Sequence, residues 1–108
     1  MKDEKVYSKN QYFEAVIQLR PADDEVIRFI ENQVRKRDDI FISKVEKLKT
    51  GVNFWISSQR FARTLGKKLK QSFKGELIIT RTLHTRHKLT SKDLYRATVL
   101  FRVDRSKD

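Results

Sequence analysis

Apolar and polar residues alternate along several short segments of the chain, a pattern typical of β-strands with one buried face. In the segment 12–20 one side carries apolar residues throughout, namely Phe13, Ala15, Ile17 and Leu19. In the segment 52–56, Phe54 is predicted to face one way and Trp55 the other. The pattern predicts five strands, at 12–20, 40–48, 52–56, 76–83 and 94–103. The short turn at 49–51 predicts that the second and third strands form a hairpin.

Two other segments carry apolar residues at helical spacing. The first, 22–38, has acidic residues in its first turn and basic residues in its last, and both complement the helix dipole. The second begins after Ser57 or Ser58, either of which can cap it, and runs to about Lys74, with Gly75 as its predicted terminator. Its apolar face consists of Phe61, Ala62, Leu65, Leu69 and Phe73.

The predicted order of elements is therefore β-α-β-β-α-β-β. A strand layer with one apolar face needs a covering layer, and two amphipathic helices supply it, so the fold class is α+β with a two-layer sandwich. The nearest familiar plan is ferredoxin-like, a split β-α-β with an extra hairpin strand. We expect one domain over residues 11–103, with flexible tails at 1–10 and 104–108 and a polar, basic connection at 84–93.

The net charge indicates which class of partner such a domain binds. The formal charge is +11, and residues 1–38 contribute none of it, because they hold eight basic and eight acidic residues. A one-sided excess of cations favours a polyanionic partner, with nucleic acid ahead of an anionic membrane. The alternative is a basic domain that binds nothing anionic. No apolar run approaches the roughly 20 residues of a membrane span, and no signal peptide is visible.

The second predicted helix is the best candidate for a phosphate-contacting surface. Its cations recur three and four residues apart and fall within roughly 80° of the helix circumference, nearly opposite the apolar face. They are Arg60, Arg63, Lys67, Lys70 and Lys74. No acidic residue interrupts 58–75, so no intrahelical ion pair relieves their repulsion. The alternative interpretation of this stripe is a solubilising helix face.

Further cations surround the connection predicted at 84–93. They are Arg81, Arg86, Lys88, Lys92 and Arg96, and they extend the basic region if they lie on the same side. Of these we include Arg86, Lys88 and Lys92 among the candidate RNA-binding residues. His84 and His87 are expected to be solvated loop histidines, because no carboxylate or cysteine stands near enough to complete a metal site.

Two aromatic residues, Tyr12 and Trp55, are expected on the sheet face turned away from the helices. Exposed aromatic rings on a sheet can stack on unpaired bases. They can equally cover a neighbouring domain, and both readings of Tyr12, Trp55 and Arg96 stay open. Neither the RNA-recognition-motif consensus nor a KH-type loop is present.

The sequence offers no set of catalytic residues. There is no cysteine, the three glycines are isolated, and no serine has a neighbouring base. No pair of carboxylates stands in an apolar setting suited to acid and base catalysis. We therefore predict a non-enzymatic protein with no catalytic residue, metal or cofactor.

Three segments in order, QYFEAVIQLR, GVNFWISSQRFARTLGKKLKQSF and LYRATVLFRV, resemble the central region of the NMD-three family. These proteins are adaptors for nuclear export of the large ribosomal subunit, and the resemblance is strongest to archaeal members. It covers residues 11–103. The part from Phe54 onward is also similar to a eukaryotic large-subunit ribosomal protein.

The resemblance implies docking on the large subunit near its tRNA-exit region, with rRNA as partner and ribosomal proteins or sister domains as further partners. It also implies a cytoplasmic protein, which shuttles to the nucleus in a eukaryotic full-length relative. The family's paired Cys-x-x-Cys zinc motifs are missing. We therefore expect an excised domain or a short relative, and a role in subunit maturation or quality control.

Overall fold

Five strands and two helices follow one another in the predicted order β-α-β-β-α-β-β. The computed structural model describes residues 6–9, 11–87 and 92–104, and gives the backbone alone for 82–87 and 92–95. The elements are β1 (Ala15–Arg20), α1 (Asp24–Arg35), β2 (Ile42–Leu48), β3 (Gly51–Ile56), α2 (Gln59–Ser72), β4 (Gly75–His87) and β5 (Lys92–Val103). The strands form one sheet, and the two helices lie on one side of it, which confirms the two-layer α+β sandwich.

The strand order in the sheet is β2-β3-β1-β5-β4. β1 is antiparallel to β3, with Ile17 opposite Phe54, and parallel to β5, with Ile17 beside Val99. The connection through α1 therefore joins β1 to β2 across β3, and the connection through α2 joins β3 to β4 across β1 and β5. This is the split β-α-β plan with one extra strand, since β5 is the hairpin partner of β4 and lies between β4 and β1.

The hydrophobic core lies between the sheet and the helices. The sheet contributes Ala15, Ile17, Leu19, Val52, Phe54, Ile56, Ala97, Val99 and Phe101, all buried. From the helices come Val26, Ile30, Val34, Phe61, Ala62, Leu65 and Leu69. α2 packs over β5, β4 and β1, and α1 packs beside α2. The residues that alternate with these along the strands, such as Val16 and Trp55, lie on the other face of the sheet. They are only half-buried, because neither described helix covers that face.

Gly66 lets α2 approach the sheet closely. A Cβ atom at this position would lie 2.8 Å from Val99 Cγ1 and 3.1 Å from Leu77 Cδ1. Such a contact is shorter than carbon atoms tolerate, so a side chain here would push α2 outward. The glycine therefore fixes the depth at which the helix sits on β4 and β5.

Side chains at the helix starts fix where each helix begins. The Asp23 carboxylate accepts hydrogen bonds from the amides of Glu25 and Val26, so α1 begins after Asp23 and not at Ala22. At α2 the cap is Ser58, whose Oγ accepts a hydrogen bond from the Phe61 amide at 3.1 Å. Ser57 instead accepts from the Phe41 amide at 3.0 Å and holds the chain before β2 to the end of β3.

The prediction that Gly75 terminates the second helix was wrong. α2 ends at Ser72, Phe73 is already extended, and Gly75 is the first residue of β4. The extended backbone lets the Phe73 ring meet the edge of Phe29, with 5.4 Å between the ring centroids. Gly75 is needed for a different reason, because a Cβ there would lie 2.5 Å from the carbonyl oxygen of Arg102 on β5.

The segment 84–93 is not the polar connection that its composition suggested. β4 continues to His87 and β5 starts at Lys92, with Arg86 opposite Asp93 and a register shift between Leu83 and Thr85. Residues 88–91 lie outside the described part of the chain. Polar side chains do not prevent pairing here, because a ribbon of two strands is held by backbone hydrogen bonds that need no apolar face.

The first strand also starts later than predicted, at Ala15 and not at Tyr12. The chain bends at Glu14, and this bend ends the alternation that assigned Phe13 to the apolar face. Phe13 instead packs its ring against the edge of Trp55, with 6.4 Å between centroids, so it lies on the Trp55 side of the sheet.

Candidate nucleic-acid interface

The cations of α2 lie on the outer flank of the helix. Arg60, Lys67 and Lys70 are exposed, and Arg63 is half-buried. Lys74 is also exposed, but it follows the end of the helix at Ser72, so its predicted place within the helix was wrong. Their positions follow from the burial of Phe61, Ala62, Leu65, Gly66 and Leu69, which fixes the opposite side of the helix against the sheet. We call the surface formed by Arg60, Arg63, Lys67, Lys70 and Lys74 the α2 stripe.

Two members of the α2 stripe are held by hydrogen bonds to uncharged groups. Arg63 Nη1 donates to Gln59 Oε1 at 3.0 Å, and Lys70 Nζ donates to the carbonyl oxygen of Gly75 at 2.8 Å. Both acceptors are neutral. Each cation keeps further N–H groups for another partner, since a guanidinium has five and an ammonium three.

No carboxylate neutralises the stripe from within its own helix, because residues 58–75 contain none. Near the end of the helix, Lys70 and Lys74 line a cleft together with the acids Glu76 and Asp104. Glu76 also accepts a hydrogen bond from Arg102 at 2.9 Å. Each pair of like charges three or four residues apart destabilises a helix by about 0.2–0.5 kcal/mol. The buried apolar face of α2 offsets this cost, so the charge is carried on a well-anchored element.

Arg81 belongs to the same side of the sheet as α2. It is paired with Ala97, which is buried beneath the helices, and residues directly opposite each other share a face. Arg81 is exposed. Because α2 and β4 run in opposite directions and Gly66 sits over Leu77 and Ile79, Arg81 lies toward the first half of α2.

For Arg86 and Lys92, the structure describes only the position of the backbone. Arg86 and Lys92 are strand residues beyond Ala97, the position at which β5 pairs with the first residue of β1. Their backbone therefore lies on the part of the hairpin that extends past β1. Lys88 lies outside the described residues. That these three extend the basic region stays a prediction.

A second group of residues surrounds Trp55 on the open face of the sheet. Lys44 Nζ lies 4.8 Å from the centroid of the Trp55 ring, and the Arg96 guanidinium lies 4.4 Å from the centroid of the Phe13 ring. Arg96 Nε also donates to the Phe13 carbonyl at 2.7 Å. A cation above an aromatic ring is attracted by the negative face of the ring. The aromatic rings here are thus already partly covered by the protein's own cations.

Tyr12 is 51% exposed at the edge of this group. Its hydroxyl donates to the Glu14 carboxylate, whose other oxygen accepts from the Gln59 amide at 2.9 Å. The hydrogen bond to Glu14 raises the pKa of the Tyr12 phenol above its ordinary value of 10.0, and burial adds to the effect. Tyr12 therefore connects the open face to the start of α2.

Sequence reasoning missed two members of the Trp55 group, Phe13 and Lys44. The alternation of apolar and polar residues predicts that Phe13 is in the core, and nothing in the sequence indicates the bend at Glu14. Lys44 is opposite Trp55 in the β2–β3 hairpin, so a correct hairpin register would have found it.

The described residues contain no group of three histidine, cysteine, aspartate or glutamate side chains placed to hold a metal ion. In the same part of the chain, neither helix has the length and apolar character of a membrane span.

The fold and the α2 stripe define a basic α+β domain with a cationic helix that contains no acidic residue. Residues 12–103 match the family model described as NMD3, second domain. The chain therefore belongs to the NMD3 family, a family of ribosome-biogenesis and export factors that associate with the large ribosomal subunit. This confirms the resemblance carried by the three sequence segments. No curated protein matches the chain.

Proposed function

We propose that this domain binds rRNA of the large ribosomal subunit through the α2 stripe, as a non-enzymatic part of a subunit maturation or export factor. The observation that supports the proposal is the run of five cations on the α2 stripe, within a segment, 58–75, that holds no acidic residue. The family association with the large subunit supplies the partner class. Such a factor works in the cytoplasm, with nuclear shuttling in eukaryotic relatives.

The length of the stripe suits a nucleic-acid backbone. From Arg60 to Lys70 the helix rises about 15 Å at 1.5 Å per residue, which spans several phosphates. Lys74 continues the stripe beyond the end of the helix. Each phosphate that a cation neutralises releases counterions, and this release makes affinity fall with salt. The stripe would supply affinity and orientation, whereas sequence selection would need contacts to bases.

The experiment is a titration of the full chain against large-subunit rRNA across a salt series. The test variant carries Arg63→Gln, Lys67→Gln and Lys70→Gln. The matched control carries Arg28→Gln, Lys47→Gln and Lys49→Gln, three exposed cations away from the α2 stripe, so that both proteins lose the same charge.

We expect the logarithm of the affinity to fall with log salt at a slope equivalent to several phosphates, each contributing about 0.7–0.9. The stripe variant should lose up to three of these increments, and the control should keep the wild-type slope. Equal slopes for the wild type and the stripe variant would overturn the proposal.

A second candidate function rests on the open face of the sheet, which presents apolar side chains to solvent. Trp55 is half-buried near one edge of this face, and Leu48 and Ile78, on the two edge strands, are 41% and 39% exposed. Because tryptophan is enriched in protein interfaces, the Trp55 ring favours contact with a protein, such as a ribosomal protein or a sister domain. This function predicts binding to a ribosomal-protein partner that tolerates salt and is lost in Trp55→Ala. Binding that survives Trp55→Ala would contradict it.

A further inference from the structure

A cleft of about 490 Å³ lies between the C-terminal end of α1 and one side of α2. Its lining includes two cations that directly follow α1 and two cations of α2, and polar side chains lie beside them. The charged and polar lining residues used below are Lys36, Arg37, Arg60, Lys68, Gln33 and Thr64. Only Arg60 belongs to the α2 stripe, so this cleft is a separate concentration of positive charge.

Contacts between the helices hold two of these side chains in place. Arg37 lies over the Phe61 ring, 5.7 Å from its centroid, and Lys68 Nζ donates to Gln33 Oε1 at 3.3 Å. The Lys68 bond has a neutral acceptor, so the ammonium keeps its charge. The cleft is therefore formed by the way α1 packs beside α2, and neither helix alone would create it.

The acidic residues around the cleft neutralise only part of this charge. Asp39 accepts from Arg37 Nη2 at 3.0 Å and from Nε at 3.2 Å, and this guanidinium lowers the pKa of the Asp39 carboxyl. Asp38 stands next to it in the chain. The lining itself contains no carboxylate among the described residues, so Lys36, Arg60 and Lys68 dominate the local charge.

We propose that this cleft binds a backbone phosphate of the same RNA that the α2 stripe contacts. The proposal rests on the proposed function and adds a second contact to it. Ammonium and guanidinium groups together with the Thr64 hydroxyl and the Gln33 amide are suitable donors to phosphate oxygens. Because Lys68 and the α2 stripe lie on opposite flanks of a helix about 10–12 Å wide, the RNA would cross α2 near Arg60.

The test uses Lys36→Gln with Lys68→Gln in the full chain, compared with Lys47→Gln and Lys49→Gln as a control of equal charge. Both variants are checked for folding by circular dichroism. The readout is the salt dependence of binding to large-subunit rRNA. We expect the cleft variant to lose about one phosphate increment of slope, near 0.7–0.9, and several-fold in affinity at low salt, while the control keeps both.

Two further arms separate the possible failures. If the α2 stripe variant loses slope and the cleft variant does not, the cleft proposal is overturned and the proposed function stands. If neither variant loses slope, both fail. Titration with inorganic phosphate, followed by the amide resonances of Thr64 and Lys68, distinguishes the phosphate source. Shifts with phosphate but no effect of the cleft variant on rRNA binding would also overturn the proposal for RNA.

Discussion

The guanidinium of Arg96 lies over the ring of Phe13 at 4.4 Å and donates to the carbonyl oxygen of the same residue at 2.7 Å. One side chain of β5 thereby holds both the ring and the backbone of the segment that precedes β1. Phe13 in turn meets the edge of Trp55. Arg96 is therefore a structural residue of the open face, whatever that face binds.

Replacing Arg96 with alanine should destabilise the domain. It removes a charge-assisted hydrogen bond and a cation–ring contact, and we expect a loss of about 1–3 kcal/mol in the free energy of unfolding. Arg102→Ala is the matched control on the same strand. Its ion pair with Glu76 is more than half exposed on both sides, so its removal should cost less than about 1 kcal/mol. Urea unfolding of both variants measures the difference, and equal losses would contradict the structural role of Arg96.

Gly66→Ala should also destabilise the domain, although alanine is the better helix former. The propensity gain is about 0.5–1 kcal/mol, whereas forcing a methyl group against Val99 and Leu77 costs about 1–3 kcal/mol. We expect a net loss near 1 kcal/mol in urea unfolding. Gln71→Ala on the exposed side of α2 should change stability by less than about 0.5 kcal/mol. A stabilised Gly66→Ala protein would show that α2 can move away from the sheet at little cost.

Tyr12 should ionise above the ordinary tyrosine pKa of 10.0, because its hydroxyl donates to the Glu14 carboxylate. A pKa that is raised in the folded state stabilises the protein below pH 10, and this contribution is lost as the pH rises through the folded pKa. Absorbance near 295 nm, taken as the difference between the wild type and Tyr12→Phe, follows this one phenol. Glu14→Gln should lower the pKa of Tyr12, and no change would contradict the assigned cause.

Much of the fold could be predicted from the sequence because its signals are local and repeated. The alternation of Ile17 and Leu19, or of Phe54 and Trp55, records burial on one face of the sheet, and the spacing of Leu65 and Leu69 records the helix. Element order follows from these patterns alone. The extra hairpin strand could also be predicted, because the sequence has five strand patterns and the split β-α-β plan uses four.

What failed was set by contacts between distant residues. Phe13 lies outside the core, where Arg96 of β5 holds its carbonyl oxygen and its ring, and Gly75 is needed where β4 passes the carbonyl of Arg102. The cleft was not found for the same reason, since Lys36 and Lys68 become neighbours only through the packing of α1 beside α2. The α2 stripe could be predicted because Arg60, Arg63, Lys67 and Lys70 share one helix.

The most direct test of rRNA binding by α2 is the change in backbone amide resonances of the full chain when a large-subunit rRNA fragment is added at low salt. We predict that the largest changes fall within Gln59–Ser72 and weaken as salt is raised. Changes confined to Trp55, Lys44 and their neighbours on the open sheet face, with α2 unaffected, would contradict the account.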